Sequence, residues 1–305
     1  MNTEISLSLN NLTVDYPGYK GSGTTAVKDV SFSISKGKVL GLVGESGAGK
    51  TSIARAITRQ LVEPGEITGG EIFFEDKDIV TMSQKDLKSY LGSQISLIVP
   101  NPKSELDPLL TIGRQLGDVV RTHLKLSKSE TKQAVLDVLE AVQIPDHNSR
   151  FSAYPHELSG GMAQRVIIAM SLICNPKFVI SDDATSGLDV TVQREIMKLM
   201  QKIIKEKNLS VLFITRDIGL AAHFCDHLGL LFRGQIVELA PINEFFKNPI
   251  HPYSLALLSA FSHSAKWRKV YSTDPEKWSK EFFKDGNVPN SLIEVDEGHL
   301  VRMEK

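Results

Sequence analysis

The sequence predicts an α/β protein whose main sheet is mostly parallel and carries helices on both faces. Short, unbroken apolar runs of the kind found in strands buried on both faces recur along the chain, at 39–43, 178–183, 210–215 and 228–232. Longer segments with helical periodicity separate several of these runs. This alternation of strands and helices is the pattern that indicates a parallel arrangement.

A second, antiparallel sheet is expected at the start of the chain. Residues 5–35 alternate apolar and polar side chains on either side of a Gly-rich turn at 18–23, which predicts two or three strands. The buried run at 39–43 follows, and it leads directly into Gly44 and a second Gly-rich loop.

Periodicity and capping residues predict helices between the strands. Ser127 and Glu130 have the spacing of a capping box, and the apolar residues that follow them lie on one helical face. Pro176 closes the helix that precedes the strand at 178–183. The predicted helices cover 51–60, 127–142, 160–174 and 190–207.

Composition excludes several classes of protein. Of the 305 residues, 41% are hydrophobic and 23% are charged, which is typical of a folded globular chain. With 35 basic and 36 acidic residues the net charge is -1, which argues against sequence-independent binding to nucleic acid. Cys174 and Cys225 are the two cysteines; this number excludes a disulfide framework and a cysteine-rich metal cage, and it favours a cytoplasmic compartment.

The sequence also lacks the patterns of export and of membrane crossing. Its first ten residues have neither the basic end nor the apolar core of a secretory peptide. The longest strongly apolar runs, such as 166–174, reach about half of the roughly 18 to 20 residues that cross a bilayer. We therefore expect any role at a membrane to be exercised through a partner.

The Gly-rich loop after the first buried strand fits the phosphate-loop pattern of Gly, four residues, Gly, Lys and then Ser or Thr. Its glycines allow backbone N–H groups to converge on phosphate oxygens, Lys50 would reach the outer phosphates, and the Thr51 hydroxyl would bind Mg²⁺. The alternative is a Gly-rich turn that binds nothing, and the position between a buried strand and a helix argues against it. The predicted phosphate-binding residues are Gly44, Glu45, Ser46, Gly47, Ala48, Gly49, Lys50, Thr51 and Ser52.

A carboxylate at the end of a neighbouring strand is the other requirement of such a site, because it holds Mg²⁺ through water. Asp182 stands at the end of the run at 178–183 and is the predicted metal residue together with Thr51. Taken alone, Asp182 and Asp183 could simply terminate the strand in a turn.

Residues 158–162 read LSGGM, with two glycines behind Ser159 at the start of a helix. This is an anion-binding helix terminus that one chain cannot easily aim at its own phosphates. With the phosphate loop, this signature, the acidic strand end and the SGLD run at 186–189 in this order and spacing, the chain resembles the ATPase subunits of ABC transporters. The resemblance covers about residues 5–260, and nearly extends to the end.

The resemblance implies a fold and a domain organisation. The expected architecture is a P-loop NTPase (RecA-like) core with an antiparallel β-subdomain and an inserted helical subdomain. An ABC ATPase domain would cover 1–260, with the helical subdomain at about 95–165, and a C-terminal extension would cover 261–305.

Two segments resemble one branch of the family, the oligopeptide, dipeptide and nickel importers. YPHELSGGM at 154–162 with the later Met170 is similar to the D-type subunit of that branch, where the F-type subunit has Gln after LSGG and Arg at the later position. NPIHPYS at 248–254 matches the tail motif of the branch, although without this context it would be only a surface turn.

The family works as head-to-tail dimers, so each ATP lies between the phosphate loop of one subunit and the signature of the other. By resemblance, Ser159, Gly160, Gly161, Gln164 and Asp189 would contact the nucleotide of a partner. Tyr16 occupies the position at which the family stacks an aromatic ring on adenine, and the alternative is an ordinary strand aromatic.

Three positions depart from the family pattern, and each belongs to the hydrolytic machinery. Pro100 stands at the position of the Q-loop glutamine, and proline has no side-chain oxygen for Mg²⁺ or water. Asp183 replaces the catalytic glutamate and is one methylene shorter, and Arg216 replaces the switch histidine and cannot shuttle a proton. We expect a degenerate site that binds ATP and hardly cleaves it; the alternative is that these are tolerated variants in a slow but complete enzyme.

The expected function is that of an ATP-binding importer subunit at the cytoplasmic face of the cell membrane. Expected partners are an F-type ABC ATPase in a heterodimer, two transmembrane permease subunits that dock near 99–109, and an extracytoplasmic substrate-binding protein, with no nucleic acid. Peptides are the expected cargo, with nickel chelates and oligosaccharides as alternatives. Other classes considered are a soluble ABC ATPase of DNA repair or translation, which 305 neutral residues do not fit, and a catalytically dead ATP-sensing scaffold.

The expected cofactors are ATP and Mg²⁺, without an iron–sulfur cluster. Relatives in the branch often carry a cysteine-ligated cluster in the tail, but residues 262–305 contain no cysteine, and Met303 stands about where the closing cysteine would be. His223 and His227, four residues apart with Cys225 between them on an expected helix, make a weak metal pattern, and a helix surface is the preferred interpretation.

Overall fold

Two β-sheets form the framework of the computed structural model, which describes residues 4–18, 22–261 and 292–303. An eight-stranded sheet has the order β11-β12-β10-β9-β3-β8-β7-β6, and a four-stranded sheet has the order β2-β1-β4-β5. The strands are β1 (Ile5–Tyr16), β2 (Thr24–Ser35), β3 (Val39–Val43), β4 (Glu66–Phe74), β5 (Lys77–Asp78), β6 (Ile95–Ile98), β7 (Phe178–Asp182), β8 (Ser210–Thr215), β9 (His227–Phe232), β10 (Gln235–Pro241), β11 (Leu292–Asp296) and β12 (His299–Arg302).

The centre of the larger sheet is parallel, as predicted. β6, β7, β8, β3 and β9 pair in parallel, and β10, β12 and β11 extend the edge in antiparallel pairs. Successive side chains of a strand point to opposite faces, so Val179 packs in the core on one side of the sheet and Ile180 in the core on the other. Both side chains are fully buried, which explains the unbroken apolar runs.

The four-stranded sheet is antiparallel, and residues 5–35 supply two of its strands. β4 was not predicted, because Gly69 and Gly70 interrupt the apolar alternation in its middle. Gly70 has a φ of 84°, and a side chain there would collide with the backbone of Asn10 and Asn11. Gly70 thus interrupts the apolar alternation of β4 and also allows the backbone of β1 to pass close to it.

The helices lie between the strands in the sequence and pack on the larger sheet. The capping box of Ser127 and Glu130 is present, which confirms the predicted start of α5. α1 and α7 end two to three residues before their predicted ends. The helices are α1 (Lys50–Ile57), α2 (Gln84–Tyr90), α3 (Pro102–Glu105), α4 (Ile112–His123), α5 (Lys128–Ala141), α6 (His147–Arg150), α7 (Gly160–Leu172), α8 (Val190–Lys207), α9 (Ile218–Phe224), α10 (Ile242–Lys247) and α11 (Pro252–Phe261).

The start of the helical insertion and the extent of the helix near His223 differ from the predictions. The helical insertion was expected from about residue 95, but 95–98 is the edge strand β6, paired in parallel with β7, so the helical part starts at α3. The expected helix through His223 and His227 ends at Phe224, and His227 begins β9, so the two histidines do not share a helix face. Cys225 and Cys174 are both buried.

Part of the expected C-terminal extension at 261–305 joins the larger sheet. Residues 292–302 form the hairpin β11–β12, and β12 pairs with β10. His299, Val301 and Arg302 are buried where β12 lies against the sheet. Residues 262–291, which include Trp267 and Trp278, lie outside the described residues.

A search of the described helices finds none with both the length and the apolar character that a membrane crossing requires.

Candidate nucleotide site

The predicted site residues converge at the carboxyl ends of three adjacent parallel strands. β3 leads into the phosphate loop, β7 ends at Asp182, and β8 is followed by Arg216. A cleft of about 240 Å³ lies between them. It is lined by Ala26, Ser46, Gly47, Gly49, Lys50, Thr51, Ser52, Asp182, Asp183 and Arg216.

The phosphate loop has a backbone that requires glycine at specific positions. Gly47 and Gly49 have φ angles of 81° and 104°, which side-chain-bearing residues rarely adopt. A Cβ on Gly49 would also overlap the carbonyl oxygen of Ala26, and one on Gly44 would overlap that of Leu231. The loop is therefore pressed closely between β2 and β9.

Lys50 is the first residue of α1, and its side chain is turned back into the loop. The ammonium donates hydrogen bonds to the carbonyl oxygens of Gly44 and Glu45, both at 2.7 Å. Burial lowers the pKa of Lys50, and the nearby carboxylates of Asp183 and Asp182 oppose this shift. Since both hydrogen-bond acceptors are neutral, the positive charge remains available to an anionic ligand.

Thr51 and Asp182 form the oxygen-rich wall of the cleft. Thr51 and Asp182 both line the cleft. Burial raises the pKa of Asp182, and the neighbouring Thr51 hydroxyl opposes this shift. A hydroxyl and a carboxylate side by side at the phosphate loop are hard oxygen donors of the kind that Mg²⁺ prefers, so these two residues fit the predicted ion.

Asp183 and Arg216, the two departures on the hydrolytic side, contact each other. Arg216 Nη2 lies 3.1 Å from Asp183 Oδ2 and donates a second bond of 3.1 Å to the Ser186 hydroxyl. Asp183 has a φ of 46°, and its backbone N–H donates to Ile214 of β8. The Asp183 carboxylate is thus paired with Arg216, and these are the two residues expected at the catalytic-glutamate and switch positions.

Two further predicted residues lie at the margin of the cleft or beyond it. The Tyr16 hydroxyl is 3.4 Å from the Ser52 hydroxyl, beside the start of α1. Pro100 follows β6 and is not among the residues that line the cleft.

The signature residues form the start of α7. Ser159 is its N-cap, and its hydroxyl accepts a bond of 3.2 Å from the N–H of Met162. Gly161 faces α8 so closely that a Cβ would meet Val192 at 2.7 Å. Asp189 caps α8, where its carboxylate accepts bonds from the N–H groups of Thr191 and Val192. The signature at the start of α7 therefore faces the start of α8. None of Ser159, Gly161 and Asp189 lines the phosphate-loop cleft.

Gln164 does not take the expected position. Its side chain is only 1% exposed, because it lies on the inner face of α7. A residue buried in its own subunit does not reach a partner's nucleotide. The prediction that Gln164 contacts that nucleotide is therefore wrong.

Sequence reasoning missed the roles of three residues at this site. Ala26 lines the cleft from β2 and has no distinctive sequence signal. Ser186 belongs to the SGLD run at 186–189, but its hydrogen bond from Arg216 was not predicted. The Tyr253 ring packs on Phe232 at the end of β9, and burial together with the Glu45 carboxylate raises the pKa of its hydroxyl. Its signal was available, because NPIHPYS had been singled out without a role.

The weak metal pattern at 223–227 gains no support. Across residues 4–18, 22–261 and 292–303 no group of three or more His, Cys, Asp or Glu side chains could hold a metal ion. Burial raises the pKa of Cys225, which disfavours its thiolate form.

Comparison with known proteins agrees with this geometry. The family described as ABC transporter matches residues 27–186. The oligopeptide transport ATP-binding protein OppD of Bacillus subtilis is 40% identical over 255 residues, which are 83% of this chain and 71% of that protein. The dipeptide transport ATP-binding protein DppD of the same organism is 38% identical over 279 residues, 90% and 83% of the two chains.

Solved structures show the same fold. The ATP-binding cassette MJ0796, in a dimeric post-hydrolysis state with ADP and Pi, superposes with a TM-score of 0.69 at 25% identity and covers 77% of this chain and 98% of its own. The cbiO1 protein of Clostridium perfringens has a TM-score of 0.68 at 25% identity, with 80% and 92% covered.

A phosphate loop on a parallel sheet, with a Mg²⁺-suited carboxylate beside it, defines a P-loop nucleotide-binding protein, and the similarity to MJ0796 shows the ATP-binding cassette fold. The chain belongs to the ABC transporter family as one of its ATP-binding subunits. Within the family it is of the type represented by OppD and DppD.

Proposed function

We propose that this subunit serves an importer of oligopeptides or dipeptides, that its own site binds ATP but scarcely hydrolyses it, and that it completes a competent site on a second ATPase. The observation that carries the proposal is the ion pair between Asp183 and Arg216 at the two positions where the family places its catalytic glutamate and switch histidine.

The pairing acts against general-base catalysis. A base must be within reach of the attacking water, and misplacement of about 1 Å can cost on the order of 10² in rate. The Asp183 side chain is one methylene shorter than glutamate and is held by Arg216 instead. Arginine stays charged at all relevant pH values, so it cannot exchange a proton with the nucleotide.

Pro100 removes a third contribution to hydrolysis, that of the Q-loop glutamine. Its side chain offers neither a ligand for Mg²⁺ nor an acceptor for water. Loss of positioned acid-base assistance typically costs roughly 10² to 10⁴ in rate. Binding does not depend on these groups, since Lys50, Thr51 and Asp182 hold the phosphates and Mg²⁺ in the proposed complex.

The signature retains what is needed to act in trans. Ser159, Gly160 and Gly161 stand at the start of the 13-residue helix α7, whose N-terminus favours anions. A homodimer would contain two impaired sites. We therefore infer a heterodimer with an F-type ATPase that carries the missing glutamate and histidine, with Ser159, Gly160, Gly161 and Asp189 facing its nucleotide.

The proposed docking site for two permease subunits is the region 99–109. Leu109 is 82% exposed, the largest exposed fraction among the large apolar side chains of the described residues, so it is accessible to a partner. Val99 and Glu105 line a groove of about 340 Å³ between the larger sheet and the helical part. Docking there would hold the subunit at the cytoplasmic face of the membrane, and an extracytoplasmic binding protein would deliver substrate. No nucleic-acid partner is proposed.

The proposed cofactors are ATP and Mg²⁺, with Tyr16 stacking on adenine. We propose no iron–sulfur cluster, because residues 262–305 contain no cysteine to ligate one. Peptide cargo is supported by relatives whose names specify oligopeptide and dipeptide transport. Nickel chelates and oligosaccharides are the alternative cargoes.

ATP binding and hydrolysis by the purified chain, alone and with its partner ATPase, test the proposal. The chain alone should bind ATP in a Mg²⁺-dependent manner with turnover near background, and the pair should hydrolyse ATP. Robust turnover by the chain alone would contradict the degenerate site. Binding without hydrolysis in the pair would favour an ATP-sensing scaffold instead.

A further inference from the structure

The two-residue turn between β9 and β10 lies against the phosphate loop. It consists of Arg233 and Gly234, whose φ angles of 46° and 80° fit the tight turns that join antiparallel strands. The residues on either side of the turn, Phe232 and Gln235, pair with each other. β9 also pairs in parallel with β3, the strand that leads into the loop. These two ladders fix the position of the turn relative to the loop.

Gly234 connects the phosphate loop to β2 through its backbone. Its N–H donates to the carbonyl oxygen of Ala48 at 3.0 Å, and its carbonyl oxygen accepts from the N–H of Lys28 at 2.8 Å. Gly234 and Ala48 are both buried, so water does not readily replace the bond between them. A Cβ on Gly234 would lie 2.7 Å from the carbonyl oxygen of Ala26, so the turn can approach this closely only without a side chain.

The bond to Ala48 sets the direction of the next N–H group in the loop. The peptide between Ala48 and Gly49 is trans, and in a planar trans peptide the carbonyl and the N–H point in opposite directions. Because the carbonyl is directed to Gly234, the N–H of Gly49 is directed away from the turn. Gly49 lines the cleft, whereas Gly234 does not. This N–H donates no hydrogen bond to the described part of the chain, so it is free for a ligand.

We propose that Gly234 is a positioning residue for ATP binding, which holds the peptide after Ala48 so that the N–H of Gly49 faces a phosphate oxygen. Gly234 acts through the loop and does not touch the nucleotide. Without this anchor the peptide can rotate and turn its carbonyl toward the cleft, and a carbonyl cannot donate a hydrogen bond to phosphate. The inference rests on the proposed binding of ATP at this loop.

The first test compares two glycine variants of the full chain by titration with Mg²⁺-ATP. Gly234→Ala places a Cβ against Ala26 and should push the turn off the loop. ATP affinity should fall roughly tenfold or more, the worth of a hydrogen bond to a charged group. Gly298→Ala is the matched control, because Gly298 also lies in a hairpin turn with a positive φ of 69°, but a Cβ there meets nothing closer than 3.9 Å. Its ATP affinity should equal that of the wild type.

The amide proton of Gly49 gives a second readout, which a merely structural role of Gly234 would not move. In amide NMR spectra of the wild-type chain, saturation with Mg²⁺-ATP should shift this proton downfield, because a bond to a phosphate oxygen is charge-assisted. The shift should shrink in ATP-saturated Gly234→Ala and persist in Gly298→Ala. Equal shifts and equal affinities in the two variants would overturn the inference.

Hydrogen exchange in the wild-type chain tests the same coupling without any substitution. If the bond from Gly234 favours ATP, ATP must in turn favour that bond. The Gly234 amide should therefore exchange more slowly with ATP bound, while the exchange of the Gly298 amide stays unchanged. Unaltered exchange at Gly234, or no downfield shift of Gly49 at saturation, would contradict the inference while ATP binding stands. Absence of ATP binding by the wild-type chain would overturn the proposed function as well.

Discussion

At the scale of single residues, Arg216 is the residue on which the proposed loss of hydrolysis mainly depends. It bridges Asp183 and the Ser186 hydroxyl, and its side chain is 57% exposed. An ion pair this open contributes roughly 0 to 1 kcal/mol, so its importance is not stability. In the proposed function, its effect is to occupy the carboxylate that hydrolysis would need.

Restoring the family residues should therefore restore hydrolysis. Asp183→Glu, Arg216→His and Pro100→Gln together should raise the ATP turnover of this chain's own site by roughly 10² or more, since they return a base, a proton-exchanging group and a metal ligand. A heterodimer whose partner site is disabled allows the turnover to be measured separately.

Lys38→His is the matched control for that experiment. It breaks another half-exposed ion pair, 3.0 Å from Asp226 at the opposite end of β3, and should not change turnover. No gain from the triple replacement, with ATP binding retained, would show that these positions do not limit hydrolysis.

At the scale of elements, the helices α5 and α7 begin with the same serine cap but differ in the residues that follow it. Ser127 caps α5 and Ser159 caps α7, each accepting a bond from the N–H three residues later. Loss of either cap should cost about 1 kcal/mol of stability. Only α7 carries the glycines of the signature.

Ser159→Ala and Ser127→Ala therefore form a matched pair of variants. Both should lower the free energy of unfolding similarly in urea, while only Ser159→Ala should abolish ATP hydrolysis by the complex with the partner ATPase. Equal hydrolysis by the two variants would argue against a role of the signature in trans.

The elements also show what a sequence can predict. β3, β7 and β8 are buried on both faces, so their apolar runs and the residues that follow them were predictable, including the phosphate loop and Asp182. β11 reads LIEVD and β12 reads HLVR, so neither contains an apolar run, and only the long-range pairing of β12 with β10 defines the place of this hairpin. The contacts of Arg216 and Tyr253 likewise depend on tertiary packing, and spacing along the chain does not encode them.

At the scale of the whole molecule, the larger sheet connects the C-terminal hairpin with the segment before α11. β12 pairs with β10, Glu238 of β10 contacts both His299 of β12 and the backbone before α11, and Tyr253 at the start of α11 packs on Phe232 of β9. The phosphate-loop cleft and the signature face are separate surfaces of the same chain. A subunit built this way can lose hydrolysis at one surface and keep its function at the other.

ATP hydrolysis by the assembled complex, with one phosphate-loop lysine replaced at a time, tests this asymmetry most directly. Replacing the partner's lysine should abolish hydrolysis, whereas Lys50→Ala, which removes ATP binding at the degenerate site, should leave a substantial fraction of the rate. Equal loss from the two replacements would contradict the account, because it would mean that both sites hydrolyse ATP.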